Sequence, residues 1–335
     1  MKIDGGIGFS PAGVAEEAAK AEASGYDGVW SAETSHDPFL PIAIGAGATE
    51  TLEFGTGITV AFARNPMTLA VLANDLQLLT KGRFMMGMGS QIKPHITKRF
   101  SMPWSHPAPR MREMILAIRA IWKTWETGEK LEFRGEFYTH TLMTPFFNPG
   151  PNPHGNAKIL LAGVGEHMTE VAGEVGDGFL VHGFTTERYL RERSLPALER
   201  GAAKAGKTRA DLTVSYPGFV VTGTNDKERE AADKAVRQQI AFYGSTPAYR
   251  PVLELHGWGD MQSELNTLSK RGEWVKMGEI IDDEVLNAFA VVAPLDKVAA
   301  EVRSRFGDAV DRFSFYAPYK VDAEAWKEVL AGFKD

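Results

Sequence analysis

The segment Trp30-Ser-Ala-Glu-Thr-Ser-His-Asp-Pro38 gathers Glu33, His36 and Asp37 in one short loop between a strand-like run and a helix opened by proline. A histidine whose unperturbed pKa lies near 6.5 suits general acid work at neutral pH. The loop also reads as a plain helix entry, with Asp37 capping the helix that Pro38 starts. Further along, Gly87-Met-Gly-Ser-Gln-Ile-Lys-Pro-His95 offers Gln91 as a hydrogen-bonding amide and His95 as an acid if its loop folds inward. Lys93, Lys98 and Arg99 on the same loop fit either an anionic ligand or a solvated charged surface.

A second group of residues suits binding rather than proton transfer. Leu52-Glu-Phe-Gly-Thr-Gly-Ile-Thr-Val60 is β-rich and ends around Gly57-Ile58-Thr59, and Pro66 then opens a helical pattern. Glycine at a strand end marks a bulge or the close approach of another group. Arg64 precedes Pro66 as a candidate ligand contact, and Asn65 reads equally as the N-cap. Ala162-Gly163-Val164-Gly165 leads into a helix whose bare backbone N–H groups form an anion site, although Glu166 competes for that helix end. Gly183-Phe-Thr-Thr-Glu-Arg188 offers Thr185 and Arg188 to the same anion, with Thr185 also readable as a cap. His256-Gly-Trp258-Gly-Asp260 and Trp274 supply large side chains able to cover a bound ring.

These residues recur at the ends of alternating strands and helices. Strands are expected at Ile3–Phe9, Gly28–Ala32, Leu52–Val60, Arg83–Gly89, Lys158–Gly163, Gly178–Gly183, Leu212–Thr222 and Arg312–Ala317. Helices are expected near Pro11–Ala23, Pro38–Ala48, Pro66–Leu79, Pro109–Trp125, His167–Glu174, Glu187–Lys204 and Asp226–Phe242. Eight such repeats predict an α/β chain of the (β/α)8 TIM-barrel class, a single domain over residues 1–335. The competing pair of Rossmann-like halves requires a Gly-x-Gly-x-x-Gly turn after the first strand, and Gly5-Gly6-Ile7-Gly8 instead lies within it. Two segments exceed a minimal barrel: a long loop at 91–107 after the fourth strand and an insertion at 244–286 before the last βα unit. Both are expected on the C-terminal face, as active-site walls or, for the insertion, equally as an oligomer contact.

Composition narrows the function classes. The 335 residues are 44% hydrophobic and 24% charged, with a net charge of -6, which gives no basic field for nucleic acid or anionic lipid. The absence of cysteine excludes disulfides, thiolate catalysis and zinc–thiolate sites, and the histidines lack metal-ligand spacing, so no metal is assigned. No signal peptide or membrane-length apolar run is read, and a cytoplasmic location is expected.

Five motifs occur in one order: Gly25-Tyr-Asp-Gly-Val-Trp30, Phe54-Gly-Thr-Gly-Ile-Thr59, Lys81-Gly-Arg-Phe-Met-Met-Gly-Met-Gly-Ser90, Ala162-Gly-Val-Gly165 and Gly176-Asp-Gly-Phe179. In that register the chain resembles the bacterial luciferase-like superfamily along almost its whole length, and more closely the branch that uses the deazaflavin coenzyme F420. The resemblance implies a homodimeric oxidoreductase moving a hydride between F420 and a small organic substrate. It implies a luciferase-like barrel with a non-prolyl cis peptide at Gly57–Ile58 behind the cofactor ring. Gly57, Ile58, Thr59, Met88, Gly89 and Ser90 would line the ring, and Gly163, Val164, Gly165, Thr185 and Arg188 would hold the phosphate. Glu33 with His36 or His95 would carry the proton chemistry, and Arg64, Gln91, His256 and Trp258 would face the substrate. Thr34 stands where related enzymes often place a histidine, and Gln91 occupies the region of the glutamate that sugar-phosphate dehydrogenases use, which argues against sugar-phosphate oxidation. An FMN-dependent monooxygenase and a non-catalytic flavin-binding protein are the alternatives.

Overall fold

The computed structural model describes residues 1–8, 10–320 and 322–334. Element order and parallel pairing are those of a (β/α)8 barrel. The strands are β1 (Lys2–Gly6), β2 (Gly28–Ser31), β3 (Glu53–Thr56), β4 (Phe84–Gly89), β5 (Lys158–Gly163), β6 (Gly178–Val181), β7 (Thr213–Val221) and β8 (Arg312–Tyr316). The helices are α1 (Val14–Ser24), α2 (Phe39–Ala46), α3 (Pro66–Leu79), α4 (Pro107–Thr127), α5 (Glu166–Val175), α6 (Leu195–Lys204) and α7 (Asp226–Gly244). After α7 come α8 (Arg250–Leu255), α9 (Gly259–Lys270), α10 (Trp274–Glu279), α11 (Asp283–Phe289), α12 (Leu295–Phe306) and α13 (Ala323–Ala331). The first strand was expected to reach Phe9, which lies outside the described residues.

Contacts cluster into two compact units. The larger holds Gly5–Leu180 and Ala197–Thr213. Here β2 runs parallel to β3 from Gly28 against Glu53 to Ser31 against Thr56, β3 pairs Phe54 with Phe84 of β4, and β4 pairs Met85–Met88 with Lys158–Leu161 of β5. Every residue of β4 is buried, as expected for a parallel strand covered on both faces. β3 breaks after Thr56 and resumes as Thr59–Val60 beside Met88 and Gly89. The β3–β4 contact is close because Gly87 carries no side chain: a Cβ there would lie 1.8 Å from the Thr56 carbonyl oxygen, and Thr56 Oγ1 donates to the Gly87 carbonyl at 2.8 Å.

Two local features were not anticipated. The antiparallel pair Phe133–Arg134 and Thr139–His140 follows α4 and is pinned by Glu113, whose carboxylate accepts the N–H groups of Glu136, Phe137 and Tyr138 at 2.6–2.9 Å. The expected helix Glu187–Lys204 is also interrupted: a short turn Glu187–Tyr189 passes through a π-helical segment Leu190–Ser194 before α6. Pro196 has no N–H to donate to the Glu192 carbonyl and its ring crowds that carbonyl, so the turn widens.

The smaller unit holds Met1–Asp4, Val181–Pro196 and the chain from Val214 onward. β7 pairs with β8 from Ser215 against Arg312 to Phe219 against Tyr316, β8 pairs with Lys2–Asp4 of β1, and a short strand Ala290–Val292 lies along the end of β7. Arg312 donates to Asp4 through Nε at 2.7 Å and Nη2 at 2.5 Å, a bidentate pair in which both residues are buried. The 244–286 insertion is helical, and Leu253, Leu265, Met277 and Leu286 join Phe184, Phe219, Val236, Ile240 and Phe289 in one apolar cluster. No described helix is long and apolar enough to cross a membrane.

Candidate functional site

In the larger unit, the C-terminal ends of β2, β3 and β4 converge around Gly57–Ile58, whose peptide bond is cis. Gly57 is exposed and Ile58 half-buried, while Thr59 is buried. The Gly57 N–H donates to the Ser31 carbonyl at 2.8 Å, and the Glu33 N–H donates to the Ile58 carbonyl at 3.3 Å. Trp30 lies across the strand: a Cβ on Gly55 would sit 2.3 Å from its ring, and one on Gly57 3.5 Å from its Cβ. The Ile58 side chain packs with Met85, Leu160, Leu180 and Trp30, and reaches over Gly89, where a Cβ would stand 2.2 Å from Ile58 Cδ1. Met88 is fully buried beside Thr59, and Ser90 is half-buried with its hydroxyl bonded to the Gln91 carbonyl at 3.1 Å. Ser31 Oγ and Thr59 Oγ1 are buried without a hydrogen-bond partner among the described residues. A buried hydroxyl left unpaired is costly, so the pair marks where a ligand or water would complete the structure.

Glu33 and Arg64 meet at this strand end. Glu33 Oε2 accepts from Arg64 Nη1 at 2.6 Å and from the Val60 N–H at 2.7 Å. Arg64 also reaches Asp37 Oδ2 at 3.3 Å and lies over the Phe39 ring, so its charge is engaged by protein groups. Asp37 accepts the N–H groups of Phe39 and Leu40 at 2.8 and 3.2 Å, and Asn65 accepts that of Thr68 at 2.9 Å, so both helix starts are capped. His36 and His95 are exposed. The 91–107 loop is tied back by Arg99, whose Nη2 donates to the Thr34 carbonyl at 2.5 Å, and by buried Arg110, which donates to the Pro103 carbonyl at 2.7 Å and to Tyr138 Oη at 2.9 Å. Gln91 adopts positive φ and accepts the Ile92 N–H on its own side-chain oxygen at 3.0 Å.

At the end of β5, Gly163 and Val164 are half-buried, and exposed Gly165 starts α5 with no side-chain cap. A Cβ at Gly165 would meet nothing within 4 Å. Glu166, the residue that would compete with an anion here, is drawn to Arg200 Nη2 at 3.0 Å. Among the described residues no group of three metal-ligating side chains gathers.

The smaller unit brings Thr186, His256 and Trp258 together. The helix cap is Thr186 rather than Thr185: its Oγ1 accepts the Tyr189 N–H at 3.1 Å and lies 2.8 Å from His256 Nε2. The His256 ring stacks on Trp258 with centroids 4.4 Å apart. Burial, reinforced by the charge of Arg188, pulls the His256 pKa below its ordinary value. Arg188 pairs with Glu192 at 2.9 Å, and Thr185 is buried with its carbonyl accepting from Tyr216 Oη at 3.2 Å.

The luciferase-like monooxygenase family model matches residues 3–312. The chain belongs to that family. It is 55% identical over 312 residues to an uncharacterized protein of Mycobacterium tuberculosis, covering 93% of this chain and 92% of the relative. It is 30% identical over 220 residues to the F420-dependent glucose-6-phosphate dehydrogenase of Rhodococcus erythropolis, covering 61% of this chain and 63% of that one. Among solved structures, the coenzyme F420-dependent tetrahydromethanopterin reductase from Methanopyrus kandleri superposes with a TM-score of 0.79 at 18% identity, covering 99% of this chain and 97% of that one. This luciferase-like chain is an enzyme of the oxidoreductase type. Sequence reasoning missed Trp30 and Ser31 as parts of its strand-end site. Trp30 stood in a quoted motif, but nothing local reveals that its ring crosses Gly55.

Proposed function

We propose that this luciferase-like enzyme binds coenzyme F420 and transfers a hydride between it and an organic substrate. The observation that carries the reading is the strand end at Gly57–Ile58: exposed backbone, an apolar floor from Ile58, Met85 and Trp30, and two unpartnered buried hydroxyls at Ser31 and Thr59. These residues fit a tricyclic ring that presents both an apolar face and polar edges. Uncapped α5 behind Gly165, with Glu166 held away by Arg200, fits the cofactor's phosphate. The F420 dependence of the dehydrogenase relative supports the choice of cofactor. When bound, the deazaflavin would supply the hydride chemistry, and the protein would supply position and exclusion of water.

Glu33, held by Arg64 and the Val60 N–H, anchors the loop bearing His36, and His95 on the tethered 91–107 loop is the other candidate acid. The enzyme is proposed to act as a homodimer: adjacent α2 and α3 expose Leu40, Ile44, Val71, Leu78 and Leu79, a face that a second copy would cover, and sedimentation velocity on Leu40→Asp/Leu79→Asp tests it by loss of the dimer. The cofactor assignment is tested by fluorescence titration with F420 and with FMN. Saturable F420 binding with weak FMN binding is expected. Tight FMN binding with oxygen uptake on reduction would replace this reading with a monooxygenase, and cofactor binding without turnover over alcohols, aldehydes and enones would leave a carrier protein.

A further inference from the structure

The first half of the 91–107 loop passes the strand end at Gly57–Ile58. In the sheet β3 lies between β2 and β4, so a chain running from the end of β4 to the end of β2 must pass the end of β3. Residues 91–99 make that passage. They leave β4 beyond Gly89, and at the far side Arg99 Nη2 donates at 2.5 Å to the carbonyl of Thr34, in the loop after β2. The adjacent Glu33 N–H donates to the Ile58 carbonyl at 3.3 Å. All of these residues belong to the larger unit.

This strap holds a definite shape. Ile96 is fully buried within the π-helical turn His95–Arg99, and its carbonyl accepts the Met102 N–H at 3.0 Å. Beyond the turn, Trp104 stands edge-on to buried Phe62, which follows β3, with ring centroids 5.6 Å apart. Gln91, Ser101 and His106 adopt left-handed φ of 58, 55 and 39°, three of the four non-glycine residues that do so among those described. Such conformations are costly, persist where the surroundings enforce them, and concentrate at ligand sites.

The strap is also free of acid. In a chain with 43 acidic residues and a net charge of -6, none lies between Asp75 and Glu113. Of the cations in that interval, Arg83 and Arg110 are engaged by carbonyl oxygens and Arg112 by Glu174, while Lys81 precedes β4 and so lies at its opposite end. Lys93, Lys98 and Arg99 are exposed and have no carboxylate partner among the described residues. In the loops after β2 and β3, Glu33 and Arg64 neutralise each other, and Asp37 both caps α2 and touches Arg64. Positive charge is therefore in surplus beside an exposed strand end with an apolar floor, which suits a ligand that carries an acid.

We propose that Lys93 and Lys98 recognise an acidic group, carboxylate or phosphate, on a ligand held at the Gly57–Ile58 strand end. The proposal rests on reading that strand end as the ligand site, and it narrows what binds there. Two sources carry such a group, the organic substrate and the phosphate-and-glutamate tail of F420, and the experiment separates them.

Binding rather than turnover is measured, on the full chain with and without F420. Ligand-observed NMR compares 4-formylbenzoate and 3-oxocyclohexanecarboxylate with their methyl esters, at low salt and at about 1 M salt, where the Debye length is about 3 Å. The acids should bind about tenfold more tightly than the esters at low salt and within about twofold of them at high salt. Lys93→Ala/Lys98→Ala should abolish the preference and Lys93→Arg/Lys98→Arg should keep it, because charge rather than shape is recognised. A parallel fluorescence titration compares F420 with the deazaflavin riboside that lacks its phosphate and glutamates. A loss confined to the probe acids assigns the two lysines to the substrate, and a loss of F420 affinity with the riboside unaffected assigns them to the cofactor tail. Acids and esters within about twofold at low salt, together with F420 affinity unchanged in the alanine variant, would overturn the proposal, as would a preference that survives both alanine substitutions. Failure to bind F420 sinks the cofactor reading alone, because the strap and its cations belong to the chain, and the NMR comparison then decides.

Discussion

Neutralising Glu33 tests whether the strand-end site is assembled around one ion pair. The Glu33 side chain is 7% exposed and that of Arg64 17%, with 2.6 Å between Oε2 and Nη1. Removing one partner of a fully buried pair costs about 3–5 kcal/mol, whereas exposed pairs are worth about 0–1 kcal/mol. Glu33→Gln falls between these limits, because Arg64 keeps Asp37 at 3.3 Å and the Val60 N–H keeps an amide oxygen as acceptor. The expected loss is about 2 kcal/mol. Arg64→Met strands the carboxylate in turn and should lose a similar amount, while retaining apolar contact with Phe39. If the two act as a unit, the double variant loses hardly more than either single one, leaving a coupling energy of about 1.5 kcal/mol. Urea unfolding of all four proteins, with coincident fluorescence and circular dichroism transitions, measures it. Additivity within about 0.5 kcal/mol would refute the assembly argument. Unchanged stability in Glu33→Gln together with abolished turnover would instead make Glu33 a proton-transfer group.

Other outcomes follow from the same geometry. Gly87→Ala would put a Cβ 1.8 Å from the Thr56 carbonyl oxygen, backbone that cannot yield, and should lose about 3 kcal/mol in urea unfolding; a loss under about 1 kcal/mol would show that β3 and β4 part easily. Gly89→Ala meets only Ile58 Cδ1, the mobile end of a side chain, so stability should fall by less than about 1 kcal/mol while F420 affinity weakens about fivefold as Ile58 is displaced; unchanged affinity would remove Ile58 from the ring site. His182 contributes to the pH dependence of stability. Its folded pKa of about 4 lies below the unfolded value of 6.5, so the unfolded chain binds more protons between those limits, and stability is full above pH 6.5 and falls by about 3 kcal/mol as pH drops toward 4. His182→Gln should flatten that part of the profile, and an unchanged slope would show that His182 is solvated. Thr186→Ala removes a helix cap and the partner of His256, and should lower the thermal midpoint by the few degrees that about 1–2 kcal/mol represents; an unchanged midpoint would show that water replaces the hydroxyl.

What the sequence made legible was local. β5 and α3 have the expected limits because glycine bounds one, and Asn65 with Pro66 starts the other. The order of strands and helices was legible because each carries its own periodicity, and the open turn at Gly163–Gly165 because three adjacent residues define it. Where the reading slipped, the deciding interaction joined distant residues or turned on a choice between neighbours. Thr185 and Thr186 are chemically alike, and only the true start of the helix decides which one caps it. Glu33 and Arg64 could each be nominated for chemistry, yet nothing in either segment says that one neutralises the other across 31 residues. His182 and Tyr249 stand 67 residues apart, and the state of their shared proton follows from a third contact, the Phe184 N–H, that exists only once the chain after β6 has turned. A motif can therefore nominate the cofactor, because the backbone that would receive it is local. The hydrogen bond between His182 Nε2 and Tyr249 Oη belongs instead to the long-range packing of the insertion, and no local motif announces it.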